Sequence, residues 1–135
     1  MTPTLTAVVG FAAWYVLLTL VLATYRSGLV LGGRRAANTF RVDGSDTPGF
    51  GARLTRARDN CYETLPVFVA LAVVATLAGK TAITDALAPW VLAARVGQSL
   101  THLVSTSVPA VLVRANLFFL QVLIYGWWSI RLLTA

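Results

Sequence analysis

Residues 56–66 read RARDNCYETLP and lead directly into an apolar run that is long enough to cross a bilayer. On a helix, Arg56, Asn60 and Glu63 are spaced i, i+4 and i+7, so a guanidinium, an amide and a carboxylate share one face. An ionisable group inside a membrane is costly unless it is paired or faces a polar cavity. This face is therefore predicted to point into the protein and to form part of a functional site.

The composition of the whole chain is that of an integral membrane protein. Of its 135 residues, 57% are hydrophobic and only 12% are charged, whereas about 25% are charged in a typical soluble domain. The mean hydropathy is +0.73. We predict an all-α fold in which residues 1–135 form a single membrane domain, because helices satisfy their own backbone hydrogen bonds inside a bilayer.

Four apolar segments predict a bundle of four membrane-spanning helices. They lie at about residues 3–25, 53–79, 83–107 and 109–133, and a polar, glycine-rich loop at 26–52 separates the first from the second. The first segment has no basic residue before it and is too long for a cleaved signal peptide. We therefore expect it to remain as a span.

The positive charge is concentrated between the first and second apolar runs. The net charge is +6, and seven of the eleven basic residues lie in this part of the chain. The positive-inside rule explains this pattern better than nucleic-acid binding does, so we predict no nucleic-acid partner. The loop is expected on the cytoplasmic side of the membrane and both termini on the outside. The seven residues are Arg26, Arg34, Arg35, Arg41, Arg53, Arg56 and Arg58.

A second polar stripe lies on the third predicted span, where Arg95, Gln98 and His102 are spaced i, i+3 and i+7. Four spans that alternate in direction bring the start of the second, the end of the third and the start of the fourth to one face of the membrane. Glu63 and Arg95 should then lie at the same depth, roughly 10 Å from that face, and form an ion pair. Arg114, near the start of the fourth span, should face the same pocket.

The predicted pocket has a surplus of positive charge. Its one carboxylate, Glu63, faces Arg56, Arg95 and Arg114, so pairing with Arg95 leaves two cations unmatched. Arginine binds carboxylates in bidentate fashion and keeps its charge when it is partly buried. We therefore expect the ligand to be an anion.

The chain has one cysteine, Cys61, and one histidine, His102. A single cysteine excludes an internal disulfide, and a catalytic thiol is not expected here. His102 taken alone is typical of a hydrogen-bonded packing residue. With no cluster of histidines or cysteines in the sequence, no metal site is predicted.

The motif at residues 56–68 resembles that of the MAPEG family, the membrane-associated proteins in eicosanoid and glutathione metabolism, in its bacterial type. The resemblance covers nearly the whole chain, including the segments at 34–36 and 40–42. It implies a homotrimer of four-helix subunits in a bacterial inner membrane, with glutathione bound between subunits toward the cytoplasmic side. The matching positions in the motif are Arg56, Ala57, Asn60, Glu63, Pro66 and Phe68.

The resemblance also implies a glutathione site and a reaction. The residues that would hold glutathione are Arg56, Asn60, Glu63, Arg95, Gln98 and His102 of one subunit, with Arg34 and Arg58 of its neighbour. Arg114 corresponds to a catalytic arginine that stabilises the glutathione thiolate and so lowers the thiol pKa. The thiolate would attack a lipophilic electrophile from the bilayer to give a thioether, or would reduce a lipid hydroperoxide.

The chain departs from this pattern at three positions. It has Thr64, Gln98 and His102 where relatives that use glutathione carry tyrosine. Another low-molecular-weight thiol is therefore an alternative to glutathione, and a non-catalytic protein that binds a thiol or an anion is an alternative to an enzyme. A small four-helix drug exporter fits less well, because its membrane-embedded carboxylate is not expected to face three arginines.

Overall fold

The structure is a computed structural model that describes all 135 residues, and it contains helices but no strands. Four long helices pack side by side as a bundle, and a single short helical turn precedes the third of them. This confirms the predicted all-α fold. The helices are α1 (Pro3–Leu31), α2 (Phe50–Leu77), α3 (Ala82–Asp85), α4 (Ala88–Val104) and α5 (Val108–Thr134).

The helix bounds differ from the predicted spans in three places. Helix α1 continues past residue 25 to Leu31, and α2 begins at Phe50 rather than at residue 53, so the loop shortens to 32–49. The third segment is not continuous, because α3 ends at Asp85 and a separate helix α4 begins at Ala88. Pro89 lies in the first turn of α4, where its missing N–H costs no hydrogen bond.

Three helices, α1, α2 and α5, are long and apolar enough to cross a membrane. In the most apolar stretch of each helix, only 22%, 22% and 17% of the residues, respectively, are buried inside the bundle. So much exposed apolar surface is typical of contact with lipid or with another subunit. Helix α4 has 17 residues, about 25 Å, so a fourth span remains a prediction.

One end of the bundle holds both chain termini and the connection between α2 and α4. Thr4, in the first turn of α1, donates to the Asp85 carboxylate from its backbone N–H at 3.1 Å and from its hydroxyl at 2.6 Å. Lys80, just after α2, donates to the backbone oxygen of Ala135. These contacts agree with the predicted up-and-down order of the helices.

The opposite end holds the 32–49 loop and the turn between α4 and α5. Arg53, in the first turn of α2, donates from Nε to the backbone oxygen of Leu103 at 2.9 Å. The loop packs tightly on α2 at Gly44, which has a positive φ of 72°. A Cβ atom at Gly44 would lie 2.7 Å from the hydroxyl oxygen of Thr55, so glycine is required there.

The core of the bundle contains a cluster of aromatic side chains from three helices. Phe68 of α2 lies 5.7 Å from Phe11 of α1 and 5.9 Å from Trp128 of α5, measured between ring centroids. Tyr125 stacks on the same ring at 6.2 Å. Arg95 of α4 reaches this cluster with its guanidinium 5.5 Å from the Phe11 ring, so the apolar core borders directly on the polar site.

Candidate functional site

His102 lies in the last turns of α4, where α2, α4 and α5 meet. The amide nitrogen Nδ2 of Asn60 on α2 lies 2.8 Å from Nε2 of its ring. Arg114 on α5 donates from Nη1 to Nδ1 of the same ring. The structure therefore brings three of the predicted site residues into direct contact, one from each helix.

These two contacts determine where the imidazole hydrogen lies. A guanidinium can only donate, so Nδ1 of His102 accepts from Arg114 and carries no hydrogen. The neutral ring then carries its hydrogen on Nε2, and an N–H group cannot bond to the amide nitrogen beside it. We therefore assign the Asn60 amide the flipped orientation, in which its oxygen accepts from that N–H. The Asn60 NH₂ group is consequently left to donate to a ligand.

Two cavities lie on either side of the contact between His102 and Arg114, and both side chains line each of them. The first cavity has a volume of about 290 Å³ and is also lined by Arg53, Arg56 and Thr106. We call it the basic cavity, because three arginines and no carboxylate line it. It lies at the loop end of the bundle, where Arg53 also bonds to the end of α4.

The second cavity has a polar wall and an apolar wall, and its volume is about 350 Å³. We call it the mixed cavity. Its polar wall carries the predicted site residues Asn60, Glu63 and Gln98, beside His102 and Arg114. Its apolar wall is formed by α5 and consists of Val111, Ala115, Phe118 and Phe119. An anion next to Arg114 and an apolar molecule from the bilayer can therefore meet in this cavity.

Arg95 is fully buried, and it does not form the predicted ion pair with Glu63. Its Nη2 donates to the hydroxyl of Thr64 at 2.6 Å, whereas Glu63 is exposed on the subunit surface. Successive side chains on a helix point about 100° apart. Glu63 and Arg95 therefore lie at the same level along the bundle, as predicted, but the residue that faces Arg95 is Thr64 and the prediction of the pair is wrong.

The buried side of the site contains a second layer of polar side chains. Gln98 is buried, and its Oε1 accepts from Nε2 of Gln121 on α5 at 3.2 Å. Cys61 is also buried, with its sulfur 3.4 Å from the hydroxyl oxygen of Ser99. The thiol faces the interior and lines neither cavity, so Cys61 has a packing role.

Arg34 and Arg58 do not reach the His102 cluster within the chain. Arg34 is exposed in the loop, and Arg58 forms an ion pair with Asp59 at 2.6 Å. Arg58 and Glu63 together line a further surface cavity of about 520 Å³ beside Tyr15. Their predicted role, in which they reach into a neighbouring subunit, remains a prediction.

The predicted surplus of positive charge is present in the structure. The two ion pairs of the subunit join Arg35 to Asp46 and Arg58 to Asp59, so Arg56, Arg95 and Arg114 have no carboxylate partner. Nε of Arg114 is buried without a hydrogen-bond partner. The chemistry of the cluster therefore favours a negatively charged ligand.

Three residues of the site were not predicted from the sequence. Arg53 precedes Arg56 by three residues and Gln121 follows Arg114 by seven, so helical spacing could have identified both. Thr64 was identified only as a departure from the family pattern, and helical spacing gives no signal for it, because a threonine hydroxyl in a helix usually bonds to its own backbone. It does so here as well, to the oxygen of Asn60 at 3.2 Å.

Comparison with known proteins gives one match. The model of the MAPEG family matches residues 4–134, which include all of the site residues described above. No curated protein and no solved structure matches the chain significantly. The chain therefore belongs to the MAPEG family, whose members are membrane proteins generally associated with eicosanoid and glutathione metabolism.

Proposed function

We propose that this protein is a membrane-embedded transferase or peroxidase that activates a low-molecular-weight thiol beside Arg114. Glutathione is the first candidate for the thiol. The observation that carries the proposal is the state of Arg114, which is held in contact with a neutral imidazole and has no carboxylate partner. A charge that is fixed in place but not neutralised can stabilise a thiolate, and so lower the pKa of a bound thiol.

The peptide of glutathione would be held by groups on both sides of Arg114. The basic cavity supplies Arg53 and Arg56 for ligand carboxylates. The mixed cavity supplies the NH₂ group of Asn60 and the Glu63 carboxylate, which could accept from a ligand ammonium group. Arg95 would act indirectly, since it contacts the α2 turn that carries these residues.

The second substrate would enter from the bilayer along α5. Phe118 and Phe119 line the mixed cavity and are 38% and 62% exposed on the subunit. A lipophilic electrophile could pass along these side chains and meet the thiolate at Arg114. Attack of the sulfur would give a thioether, or, with a lipid hydroperoxide, would begin its reduction.

The assembly in this proposal is a homotrimer in a bacterial inner membrane. The loop and the active site would lie on the cytoplasmic side, and both termini outside. Arg34 and Arg58 would then approach the site of a neighbouring subunit. The exposure of Glu63 and its place in a cavity shared with Arg58 support a site completed at an interface.

A non-catalytic protein that binds a thiol or an anion is the second candidate function. One observation favours it: the side chains at the three positions where relatives carry tyrosine are already bonded within the subunit. Thr64 accepts from Arg95, Gln98 accepts from Gln121, and His102 accepts from Arg114. None of the three supplies the aromatic ring and phenol hydroxyl that tyrosine offers to the ligand in those relatives.

Thiol-dependent conjugation of chlorodinitrobenzene by the purified protein tests the proposal. Native protein should form the thioether in the presence of glutathione or of another thiol from a small panel. Arg114→Ala should lower kcat/KM about 100-fold, the usual effect of losing one donor to a developing anion. The matched control is Asn116→Ala on the same helix, since Asn116 is exposed and bonds only to the backbone of Leu112.

The two candidate functions give different results in this assay. If thiols raise the Tm of the native protein but no thioether forms with any thiol, the binding function replaces the enzymatic one. If neither effect is observed, the assignment of a thiol ligand is wrong.

A further inference from the structure

We propose that His102 is the proton acceptor that takes the hydrogen from the bound thiol at Nδ1. The inference rests on the proposed thiol chemistry and adds a second reacting group to it. Its basis is the direct contact between Nδ1 and Arg114, together with the position of both side chains on the walls of both cavities.

Arg114 cannot remove the thiol proton itself. A guanidinium stays protonated and has no lone pair to offer, so it can stabilise a thiolate but cannot accept a hydrogen. The group that accepts the proton must therefore be a different side chain of the same cavity. The residues of the mixed cavity that can bind a proton are His102 and Glu63.

His102 is the better placed of these two. Its Nδ1 lone pair points at the Nη1 group of Arg114, which is the position that the sulfur would share. Glu63 has no hydrogen bond or ion pair to Arg114, and besides the mixed cavity it also lines the surface cavity that it shares with Arg58. Glu63 is thus suited to hold a cationic part of the ligand.

The contacts of His102 allow a direct exchange of partners. When a thiol enters, the Nη1 donor of Arg114 turns from Nδ1 to the sulfur, and the thiol hydrogen moves to the vacated Nδ1. The S–H bond breaks, an N–H bond forms, and the electron pair stays on sulfur as the thiolate. Nε2 keeps its hydrogen and its bond to the Asn60 oxygen throughout, so the ring does not need to turn.

The surrounding charges couple this proton transfer to ligand binding. The groups that face His102 are Arg53, Arg56 and Glu63 from α2, Arg95 from α4 and Arg114 from α5. Four positive charges against one carboxylate oppose an imidazolium ion in the empty site. The thiolate supplies the missing negative charge, so the imidazolium forms only together with it and the net charge of the site does not change.

The variant His102→Gln tests this role in the full-length protein reconstituted in lipid nanodiscs. A glutamine oxygen can still accept from Arg114, and its NH₂ group can bond to Asn60, but an amide does not take up a proton near neutral pH. Thiolate formation would be followed by stopped-flow ultraviolet absorbance after mixing with glutathione. Kd and Tm would be measured alongside.

At a glutathione concentration that saturates the variant, we expect His102→Gln to form the thiolate about 100-fold more slowly at neutral pH, the usual contribution of a positioned base. The deficit should shrink as the pH approaches the free thiol pKa of about 8.5, because the thiolate is then taken directly from solution. Glu63→Gln should weaken binding without slowing thiolate formation in the bound complex.

Two results would overturn the inference. If native protein forms the thiolate and His102→Gln forms it as fast, His102 only positions Arg114, and the proposed function stands without this step. If the native protein forms no thiolate with glutathione or with any other thiol of the panel, or binds none of them, the proposed function fails and the inference fails with it. Thr101→Ala, which removes only a bond to the backbone of Gly97, controls for changes at the end of α4.

Discussion

Arg95 is a charged residue that lies fully buried in the bundle without a carboxylate partner. Burial of a charge costs several kcal/mol unless hydrogen bonds replace its water shell. Arg95 has the Thr64 hydroxyl at 2.6 Å and the face of the Phe11 ring at 5.5 Å, while its Nε has no partner. The Thr64 hydroxyl is therefore predicted to matter for stability.

Thr64→Val should lower the free energy of unfolding by about 1–2 kcal/mol, because it removes the one hydrogen bond that a side chain gives to this buried charge. The thermal midpoint in nanodiscs measures the effect. Thr76→Val is a matched control, since the Thr76 hydroxyl also bonds to its own helix but contacts no charged group. Equal midpoints for the two variants would show that Thr64 does not stabilise Arg95.

The same residues show how far sequence spacing predicts a site. Spacing along α2 and α4 gives the depth of each polar group, because the rise per residue of a helix is fixed. It does not give the rotation of one helix against another, so Thr64 rather than Glu63 was the residue facing Arg95. The contacts of His102 with Asn60 and Arg114 also depend on this rotation. The sequence therefore predicts which residues share a site better than it predicts their partners.

At the scale of elements, long apolar runs predict α1, α2 and α5 well, whereas polar residues and proline make the third segment harder to interpret. Helix α4 carries Arg95, Gln98 and Ser99 in the bundle interior. Their side-chain hydrogen-bond partners lie on other helices, so the sequence of this segment alone does not identify them. Pro89 marks the break before α4, but proline is also tolerated inside membrane helices. The boundary between α3 and α4 was consequently missed.

The N-terminus of α1 is predicted to depend on Asp85 at the end of α3. The carboxylate accepts two hydrogen bonds from Thr4. One of them comes from a first-turn N–H group, which has no acceptor within the helix. Asp85→Ala should lower stability by about 1 kcal/mol, as removal of a helix cap does, and should increase hydrogen exchange in the first turn of α1. Asp43→Ala is the control, because Asp43 is exposed and bonds only to Ser45. Equal exchange in both variants would contradict this role.

At the scale of the whole molecule, the exposed apolar surface of α1, α2 and α5 has to be covered by lipid, by other subunits or by both. The trimer comes from the family resemblance, since spacing and composition fit a dimer as well. Native mass spectrometry of the protein released from nanodiscs should show three copies of the 14.5 kDa chain. Monomers or dimers under conditions that keep the native Tm would contradict the proposed trimer.

The central claim is that Arg114 stabilises the thiolate of a bound thiol. The most direct measurement is the ultraviolet difference spectrum of the native protein with saturating glutathione at neutral pH. A thiolate band should appear in the native protein and in Asn116→Ala, and it should be lost in Arg114→Ala at a glutathione concentration that still saturates that variant. A thiolate band of equal size in Arg114→Ala, or no band in native protein with bound glutathione, would contradict the claim.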